Sequence, residues 1–524
     1  MVSKNLFKTS RGRQLPATDT VNRAGGVAYS MEPEAALAQF AATCCFGGSY
    51  YTRPQDQIST VLGLAGDVSP EFLARTAVYS RTKAFMKDMP AVLLAALSNR
   101  DPRLMRLVAP RILDNGRMVR NFVQVIRSGV TGRKSLGTAP KAVVRNAIEQ
   151  WGDRKLFNAA VGQDPSIADI LKMVHPKPIH PAREALHAYL LGKEYNAEAI
   201  PQFVASFEEW KKAPTANTPD VEFRYLTGVD MPEDAWKNIA RNAPWHMTRM
   251  NLNTFARHGV LQDPAYRMMI AERLKDPNQI LRAKVFPYQI LAAWASVDRQ
   301  AIPQIIIEAL HDAMEIATQN VPTIEGGVAV FPDVSASMGG SITGGYRRNP
   351  SSIRCVDVAA LIASSLARTN PNTTVIPFDH RARTDIWIDP RDSVMTNATR
   401  ISSRMGGATA CSEAMKAANE QKVMAKLAIF VSDNESWVDS KSKTLRESYY
   451  GGTTLMTVWR AYQHRVPDAK LMCIDLVPNR TTQAPDSADV LNVGGFTDQV
   501  FVLMERFANG SPEKFREEID KIEI

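Results

Sequence analysis

The chain has 524 residues, of which 45% are hydrophobic and 22% charged, and its net charge is +9. This is enough material for about two to four domains. It lacks an apolar run of the ~18–20 residues needed to span a bilayer, and no apolar core follows its basic N-terminus as it would in a secretory signal. Five cysteines without a Cys-x-x-Cys spacing exclude a disulfide framework and indicate a cytoplasmic protein.

Residues 1–20 are polar and basic and are expected to form an N-terminal arm. From residue 21 to residue 322 the chain is predicted to be an α-solenoid of degenerate, HEAT-like helical repeats, because apolar residues recur at three- and four-residue spacing and short Gly, Pro, Asn or Asp breaks separate the segments. The predicted helices lie near 34–45, 70–86, 89–99, 102–113, 116–128, 139–151, 166–174, 182–192, 200–211, 233–241, 249–257, 263–274, 278–295 and 301–317.

Cations are concentrated between residues 103 and 145, where Asp114 is the single acid. Within helix 116–128, Arg117, Arg120 and Arg127 share one face, and a Gly- and hydroxyl-rich basic loop follows at 129–138. Such cations, hydroxyls and amides bind phosphates, so this region is a candidate nucleic-acid surface. The alternative is a solvated surface that is merely basic. The candidate residues are Arg117, Arg120, Arg127, Arg133, Lys134, Lys141 and Arg145.

The pattern changes at about residue 325, after the plausible linker 321–327. Strand-like runs at 327–331, 374–378, 426–431 and 471–477 alternate with helical segments at 356–368, 412–423 and 455–465. This alternation predicts a doubly wound, mostly parallel α/β sheet for residues 326–524.

Oxygen-bearing side chains follow the strands of this predicted sheet. Asp333, Ser335 and Ser337 come directly after the first strand, Thr409 precedes the helix at 412, and Asp433 follows the strand at 426–431. Open α/β sheets bind ligands at this edge, and carboxylate and hydroxyl oxygens suit a hard divalent cation such as Mg²⁺. Asp333, Ser335 and Ser337 could instead cap a turn. With Thr409 and Asp433 in register, the metal site is the stronger interpretation.

These five residues match the Asp-x-Ser-x-Ser, Thr, Asp pattern of the metal-ion-dependent adhesion site, so residues 326–524 resemble a von Willebrand factor A (vWA) domain. That resemblance implies a coordination position that a partner's acidic group can fill. No general base or nucleophile is recognisable beside the pattern, which indicates binding or structural support and not catalysis.

A helical array followed by a vWA domain resembles the Ro autoantigen family of TROVE-module proteins, including bacterial Rsr-like members. Local matches are Asn22–Gly26, Phe40, the Phe46–Tyr51 segment, the basic helix from Lys141 to Trp151, and the Leu-x-x-x-His-x-Lys-Pro stretch with His175. Without the resemblance, His175 would be read simply as a residue at a helix end, where histidine often caps.

The resemblance implies a monomeric ring of helices with the vWA domain bridging its ends. Y-like small RNA would bind the basic outer face, with His175 in contact, and single-stranded ends of misfolded RNA would enter the central hole. In that family a lysine on an adjacent helix also contacts the Y RNA. The corresponding segment here, Leu156–Asp164, contains no lysine, and the preceding Lys155 is only a weak substitute. A 3′ exonuclease, polynucleotide phosphorylase, would be tethered through RNA.

The sequence therefore predicts a cytoplasmic, non-enzymatic RNA-binding protein that acts in RNA quality control or decay, without a membrane partner or DNA specificity. The main alternative is a scaffold whose vWA domain holds an acidic protein partner through Mg²⁺. A weaker alternative is a metal-dependent nuclease.

Overall fold

The structure is a computed structural model that describes residues 15–43, 54–342, 353–438, 452–477, 480–485, 487–496, 499–509 and 515–524. The Phe46–Tyr51 segment and most of the predicted N-terminal arm lie outside these ranges. The helical region contains α1 Pro33–Thr43, α2 Pro54–Asp67, α3 Pro70–Thr82, α4 Met89–Arg100, α5 Pro102–Ile112, α6 Gly116–Arg127, α7 Thr138–Gln150, α8 Asp153–Ala159, α9 Ile167–Val174, α10 Pro181–Leu190, α11 Gln202–Lys212, α12 Phe223–Leu226, α13 Glu233–Asn242, α14 Trp245–Met250, α15 Leu252–Arg257, α16 Pro264–Leu274, α17 Pro277–Arg282, α18 Pro287–Ser296 and α19 Gln304–Ala317.

Polar residues in the breaks between helices cap the helices that follow them. The Asp101 carboxylate accepts hydrogen bonds from the backbone amides of Arg103 and Leu104, at 2.8 and 2.9 Å, and so starts α5. Asn115 starts α6 in the same way, accepting a bond from the amide of Met118 at 3.1 Å. Both caps satisfy amides that the first helical turn leaves free.

Most helix contacts in this region join helices one to three places apart along the chain. Helix α3 contacts α4 and α5, α4 contacts α6, α5 contacts α7, α6 contacts α8, and α7 contacts α9. Contacts mainly between such near neighbours are typical of an α-solenoid, and the prediction of stacked helical repeats is confirmed.

A buried arginine ties three of these helices together. Arg183 of α10 is 2% exposed, and its Nε donates to Asp153 Oδ1 of α8 at 2.6 Å. Its guanidinium also donates to the carbonyls of Ile148, at 3.3 Å, and of Trp151. These bonds add donors for the carbonyls of Ile148 and Trp151 at the C-terminal end of α7, where carbonyls lack the usual helical partner four residues on.

The C-terminal region is a parallel sheet flanked by helices, as predicted. The five-stranded sheet has the order β4-β3-β5-β6-β8, and all its neighbouring strands are parallel. Its elements are β3 Val328–Pro332, α20 Cys355–Thr369, β4 Thr373–Val375, α21 Val394–Ser402, α22 Cys411–Glu420, β5 Leu427–Ser432, α23 Thr454–Arg465, β6 Lys470–Asp475, β7 Thr481–Thr482, β8 Val490–Gly494, α24 Gln499–Ala508 and α25 Phe515–Asp520.

The two regions touch at several places. Two short strands before α1, β1 Thr20–Val21 and β2 Val27–Ser30, form an antiparallel sheet with β7. Helix α1 also contacts β8 and α25, while at the other end of the array α18 contacts α20 and α19 contacts α21. The C-terminal domain thus packs against both the first and the last helices of the solenoid.

Some helix boundaries differ from the prediction. The helix predicted at 278–295 is two helices, because Lys284 has a left-handed backbone (φ 48°) and Pro287 opens α18. Proline suits a first helical turn and cannot continue the preceding helix. Helices α2 and α8 were not predicted; α2 contains Gly63 and Gly66, and α8 has only seven residues. In the described part of the chain, no helix is both long and apolar enough to cross a membrane.

Candidate metal centre and nucleic-acid interface

The Asp-x-Ser-x-Ser segment forms a buried loop at the carboxyl end of β3. Asp333, Ser335 and Ser337 are 0%, 1% and 8% exposed. The Asp333 Oδ1 atom accepts a hydrogen bond from the Ser335 amide at 2.8 Å, and the hydroxyls of Ser335 and Ser337 lie 3.1 Å apart. The loop therefore turns three oxygen-bearing side chains toward one buried space.

Strand β5 brings the second carboxylate to the same edge. Because Pro332 is paired with Val431 in parallel register, the residues that follow each strand lie side by side. Ser432 donates its hydroxyl hydrogen bond to Asp333 Oδ2 at 2.6 Å. Asp433 is 1% exposed; its Oδ1 accepts a bond from the Glu435 amide at 3.3 Å, and its buried Oδ2 has no partner among the described residues.

Thr409 lies on a third loop that is hydrogen-bonded to the other two. The Gly406 amide donates to the Val334 carbonyl at 2.8 Å, and the Gly407 carbonyl accepts a bond from Ala336 at 3.0 Å. The Thr409 carbonyl accepts bonds from the amides of Trp437 and Val438, at 3.3 Å each. The structure thus gathers all five predicted ligands onto three buried, connected loops.

A glycine is required in this third loop. Gly407 has φ 81°, and a Cβ there would lie 2.8 Å from His380 Nδ1 and 3.1 Å from Asp379 Oδ2. Asp379 is buried and is paired with Arg383 at 2.9 Å and with His380 at 3.1 Å. An aspartate and a histidine that the sequence had not singled out therefore lie close to the predicted site.

The electrostatics of the loops favour a bound cation. Burial and the nearby Asp433 carboxylate raise the pKa of Asp333 to about 7. Burial likewise raises the pKa of Asp433. Two buried carboxylates repel each other unless a proton or a cation lies between them.

Two carboxylates and three hydroxyls form a hard donor set, and the unpaired Asp433 Oδ2 is an oxygen available for coordination. Nowhere in the described residues, this site included, is a cluster of three or more His, Cys, Asp or Glu side chains placed to hold a metal, so the candidate set depends on its hydroxyls as well as its two carboxylates. The residues fit Mg²⁺, with Asp333, Ser335, Ser337, Thr409 and Asp433 as its candidate ligands.

The segment before β2 docks on the loop that follows Asp433. Asn22 Nδ2 donates to the Ser436 carbonyl at 2.8 Å, and the Ala24 amide donates to Glu435 Oε2 at 3.1 Å. A Cβ on Gly26 would lie 2.1 Å from the Ser436 oxygen, so only glycine allows this approach. The Asn22–Gly26 sequence match is thereby explained by contact with the candidate metal loops.

Helix α6 presents only part of its predicted basic face to solvent. Arg117 and Arg127 are exposed, but Arg120 is only 9% exposed and donates from its guanidinium to the Ala159 carbonyl at 2.5 Å. Burial, together with the nearby Arg224 and Arg117, lowers the pKa of Arg120. The three arginines share a side of the helix, but α8 covers the middle one.

The remaining candidate cations lie on the following loop and on α7. Lys134 and Lys141 are exposed and Arg133 is half-buried. Arg145 Nε donates to the Val174 carbonyl at 2.7 Å, at the end of α9. The next residue, His175, is exposed and has a left-handed backbone (φ 48°), so Arg145 and His175 lie together at this helix end.

Comparison with known proteins gives three results. The Ro60 vWA domain family model matches residues 328–508. The "RNA-binding protein RO60" of Deinococcus radiodurans is 24% identical over 97% of this chain and 99% of its own length. The crystal structure of the Deinococcus radiodurans RO (RSR) protein has the same fold, with a TM-score of 0.61 at 20% identity over 92% of this chain and all of the other.

The match at 328–508 falls on the strands and loops that carry the candidate metal ligands, and the other two matches extend over the helical array as well. Together they show that residues 328–508 match the Ro60 vWA domain and that the chain is similar over almost its whole length to the bacterial RO60 (RSR) protein.

Proposed function

We propose that this chain is a non-enzymatic RNA-binding protein. The principal support is the exposed basic surface formed by α6, the loop 129–137 and α7, on a chain whose full-length relative is named as an RNA-binding protein. Lys134 and Lys141 on this surface are exposed and have no carboxylate within ion-pair distance among the described residues, so they are available to phosphates.

The RNA that we propose is a structured, Y-like small RNA on this basic surface, with His175 in contact. Arg145 holds the end of α9 and so fixes the position of the His175 backbone. We further propose that the vWA contacts with α1 and α19 close the solenoid into a monomeric ring, and that single-stranded ends of misfolded RNA enter its hole. The corresponding role is RNA quality control, in which the RNA tethers this protein to polynucleotide phosphorylase.

For the cation, the structure favours a structural role within this proposal. The five candidate ligands are at most 8% exposed, which suits an Mg²⁺ ion that holds three loops together better than one shared with a partner's carboxylate. This argues against the alternative of a protein-binding scaffold.

The nuclease alternative needs a separate test, because His380 lies beside Gly407 of the third loop. Labelled single-stranded RNA incubated with the protein and Mg²⁺ should stay intact. Cleavage that His380→Ala and Asp333→Ala both abolish would replace the binding proposal with a catalytic one.

The RNA-binding proposal is tested by Lys134→Gln combined with Lys141→Gln. A matched control is Arg282→Gln with Lys284→Gln, which removes the same charge from exposed positions at the end of α17. Binding of a structured stem-loop RNA is measured across a salt series. The surface variant should have a slope of log affinity against log salt that is shallower by about 0.9 per lost phosphate contact. Equal slopes in the surface and control variants would contradict the proposed surface.

A further inference from the structure

A basic pocket lies where the first turn of α6 meets α8. Its volume is about 520 Å³, and it opens to solvent. Its charged lining comes from three separate helices: Arg117 and Arg120 from α6, Arg154 and Lys155 from α8, and Arg224 from α12. Five cations therefore surround one concave space, and the acid that lines it, Glu222, is paired with Arg224 at 2.9 Å.

Close backbone packing creates this pocket. A Cβ on Gly116 would lie 2.5 Å from the Ala159 Cβ, so glycine lets the start of α6 touch the end of α8. A Cβ on Gly162, whose φ is 124°, would lie 2.8 Å from the guanidinium carbon of Arg120. Gly162 thus leaves room for the Arg120 side chain in the wall of the pocket.

The positive charge of the pocket is poorly neutralised. Arg117 is 3.4 Å from Asp88, and Arg154 is 3.0 Å from an Asp220 side chain that is 91% exposed; surface pairs of this kind are weak and exchange with other ligands. Among the described residues, Lys155 has no carboxylate within ion-pair distance and lies over the Trp151 ring at 5.4 Å.

Arg120 is the buried cation among the five that line the pocket, and both its burial and the positive charge of its neighbours lower its pKa. Arg120 donates to a neutral carbonyl, and its pKa is lowered by burial and by the repulsion of Arg224 and Arg117. An anion in the pocket would relieve that repulsion. The 12-residue helix α6 begins at the same place, and its N-terminus adds to the attraction for an anion.

We propose that this pocket binds a phosphate group of RNA. Guanidinium groups form paired, charge-assisted hydrogen bonds with phosphate oxygens, and several of them converging from different helices match the tetrahedral group better than a flat surface does. The proposal rests on the proposed RNA binding and adds Arg154, Lys155 and Arg224 to the residues that contact RNA. The phosphate is either an internal phosphodiester or a terminal phosphomonoester.

The test uses the full chain with Lys155→Gln and Arg224→Gln combined. Both side chains are exposed, so the fold should be kept. The control is again Arg282→Gln with Lys284→Gln. The probe is one short structured stem-loop RNA prepared with a 5′-phosphate and with a 5′-hydroxyl. The pocket variant should bind about tenfold more weakly than the control, the size of one charge-assisted hydrogen bond, and its salt slope should be shallower by about 0.9 per phosphate lost.

Asn158→Asp is a second, independent variant, because it places a carboxylate in the pocket without removing a cation. Asn158→Asp should weaken RNA binding at least as much as the combined Lys155→Gln and Arg224→Gln variant does, whereas Asn158→Ser should leave RNA binding unchanged. If the pocket variants bind both RNA forms more weakly, the pocket holds an internal phosphate. If they bind only the 5′-phosphate form more weakly, it holds the terminal phosphate.

Unchanged affinity in both pocket variants, when the wild type binds RNA with a salt-dependent affinity, would overturn the pocket and leave the RNA-binding proposal standing. Absence of salt-dependent RNA binding by the wild type would overturn both.

Discussion

Mg²⁺ should stabilise this protein strongly at alkaline pH and only slightly at acidic pH. In the metal-free protein, burial and the neighbouring Asp433 carboxylate raise the pKa of Asp333 from its ordinary value of 3.8 to about 7. At 1.36 kcal/mol per pKa unit, this shift corresponds to a cost on the order of 4 kcal/mol for the ionised folded state.

The sign follows from where the proton is bound. Between about pH 4 and pH 7 the folded state keeps a proton that the unfolded state has released, so the free energy of unfolding falls as the pH rises. Mg²⁺ requires ionised carboxylates and replaces that proton. At about pH 5 it must compete with the proton and adds little, whereas at about pH 8 it offsets the repulsion between Asp333 and Asp433.

Thermal unfolding with Mg²⁺ or with a chelator, at these two pH values and matched ionic strength, measures the effect. At a concentration about 100 times the dissociation constant, Mg²⁺ adds about 2.7 kcal/mol. This raises Tm by about 5–10 °C for a domain of roughly 200 residues. Equal Tm values with and without Mg²⁺ at both pH values would refute the reasoning.

Two aspartate variants separate the metal effect from general relief of buried charge. Asp433→Asn removes a candidate ligand and the repulsion on Asp333, so both the Mg²⁺ effect and much of the pH dependence should disappear. Asp475→Asn is the matched control, because Asp475 is also buried at a strand end and its pKa is raised by burial, but it is not a candidate ligand. That variant should keep the Mg²⁺ response.

Three further predictions concern single side chains. His175→Ala should weaken binding of a structured stem-loop RNA more than binding of a single strand, and equal losses in a titration of both would exclude its proposed role. Gly26→Ala should lower the free energy of unfolding by about 1–3 kcal/mol, because the new methyl group overlaps the Ser436 carbonyl. It should also reduce the Mg²⁺ response, which Gly66→Ala, at a helical position with open space at its Cβ, should leave intact. Arg183→Ala should cost about 3–5 kcal/mol in chemical denaturation, because it removes the arginine that pairs with Asp153 and leaves only His180, at 3.7 Å, near that carboxylate. Arg183→Lys should restore only part of this, because an ammonium cannot reproduce the guanidinium's several hydrogen bonds.

The candidate metal loops could be predicted from sequence because strand order fixes their position. Asp333 and Asp433 each follow a short apolar run, and parallel strands end at one edge. Ser432, which donates to Asp333, was missed although it is adjacent to Asp433 in the sequence, because a single serine there has no distinguishing pattern. The contribution of Asn22–Gly26 could not be derived from local pattern, since its contacts lie more than 400 residues away.

The basic surface was less predictable. Spacing alone gives Arg117, Arg120 and Arg127 a common side of α6, but it does not reveal that α8, a seven-residue helix absent from the prediction, covers Arg120. Burial of a charged side chain depends on which helix packs over it. The same packing assembles Arg224 and Lys155 beside Arg117, although nothing in their sequence spacing connects them.

The small sheet of β1, β2 and β7 has a consequence for synthesis of the protein. Tyr29 and Ser30 pair with Thr482 and Thr481, so β2 cannot acquire this partner until almost the whole chain has been translated. At about 5–20 residues per second, roughly 450 residues take about 20–90 s. During this interval β2 has an unpaired edge, which is a template for pairing with another nascent chain. The ribosome therefore holds an incompletely joined protein for most of translation, and the time until β7 emerges sets the period in which misassembly can compete.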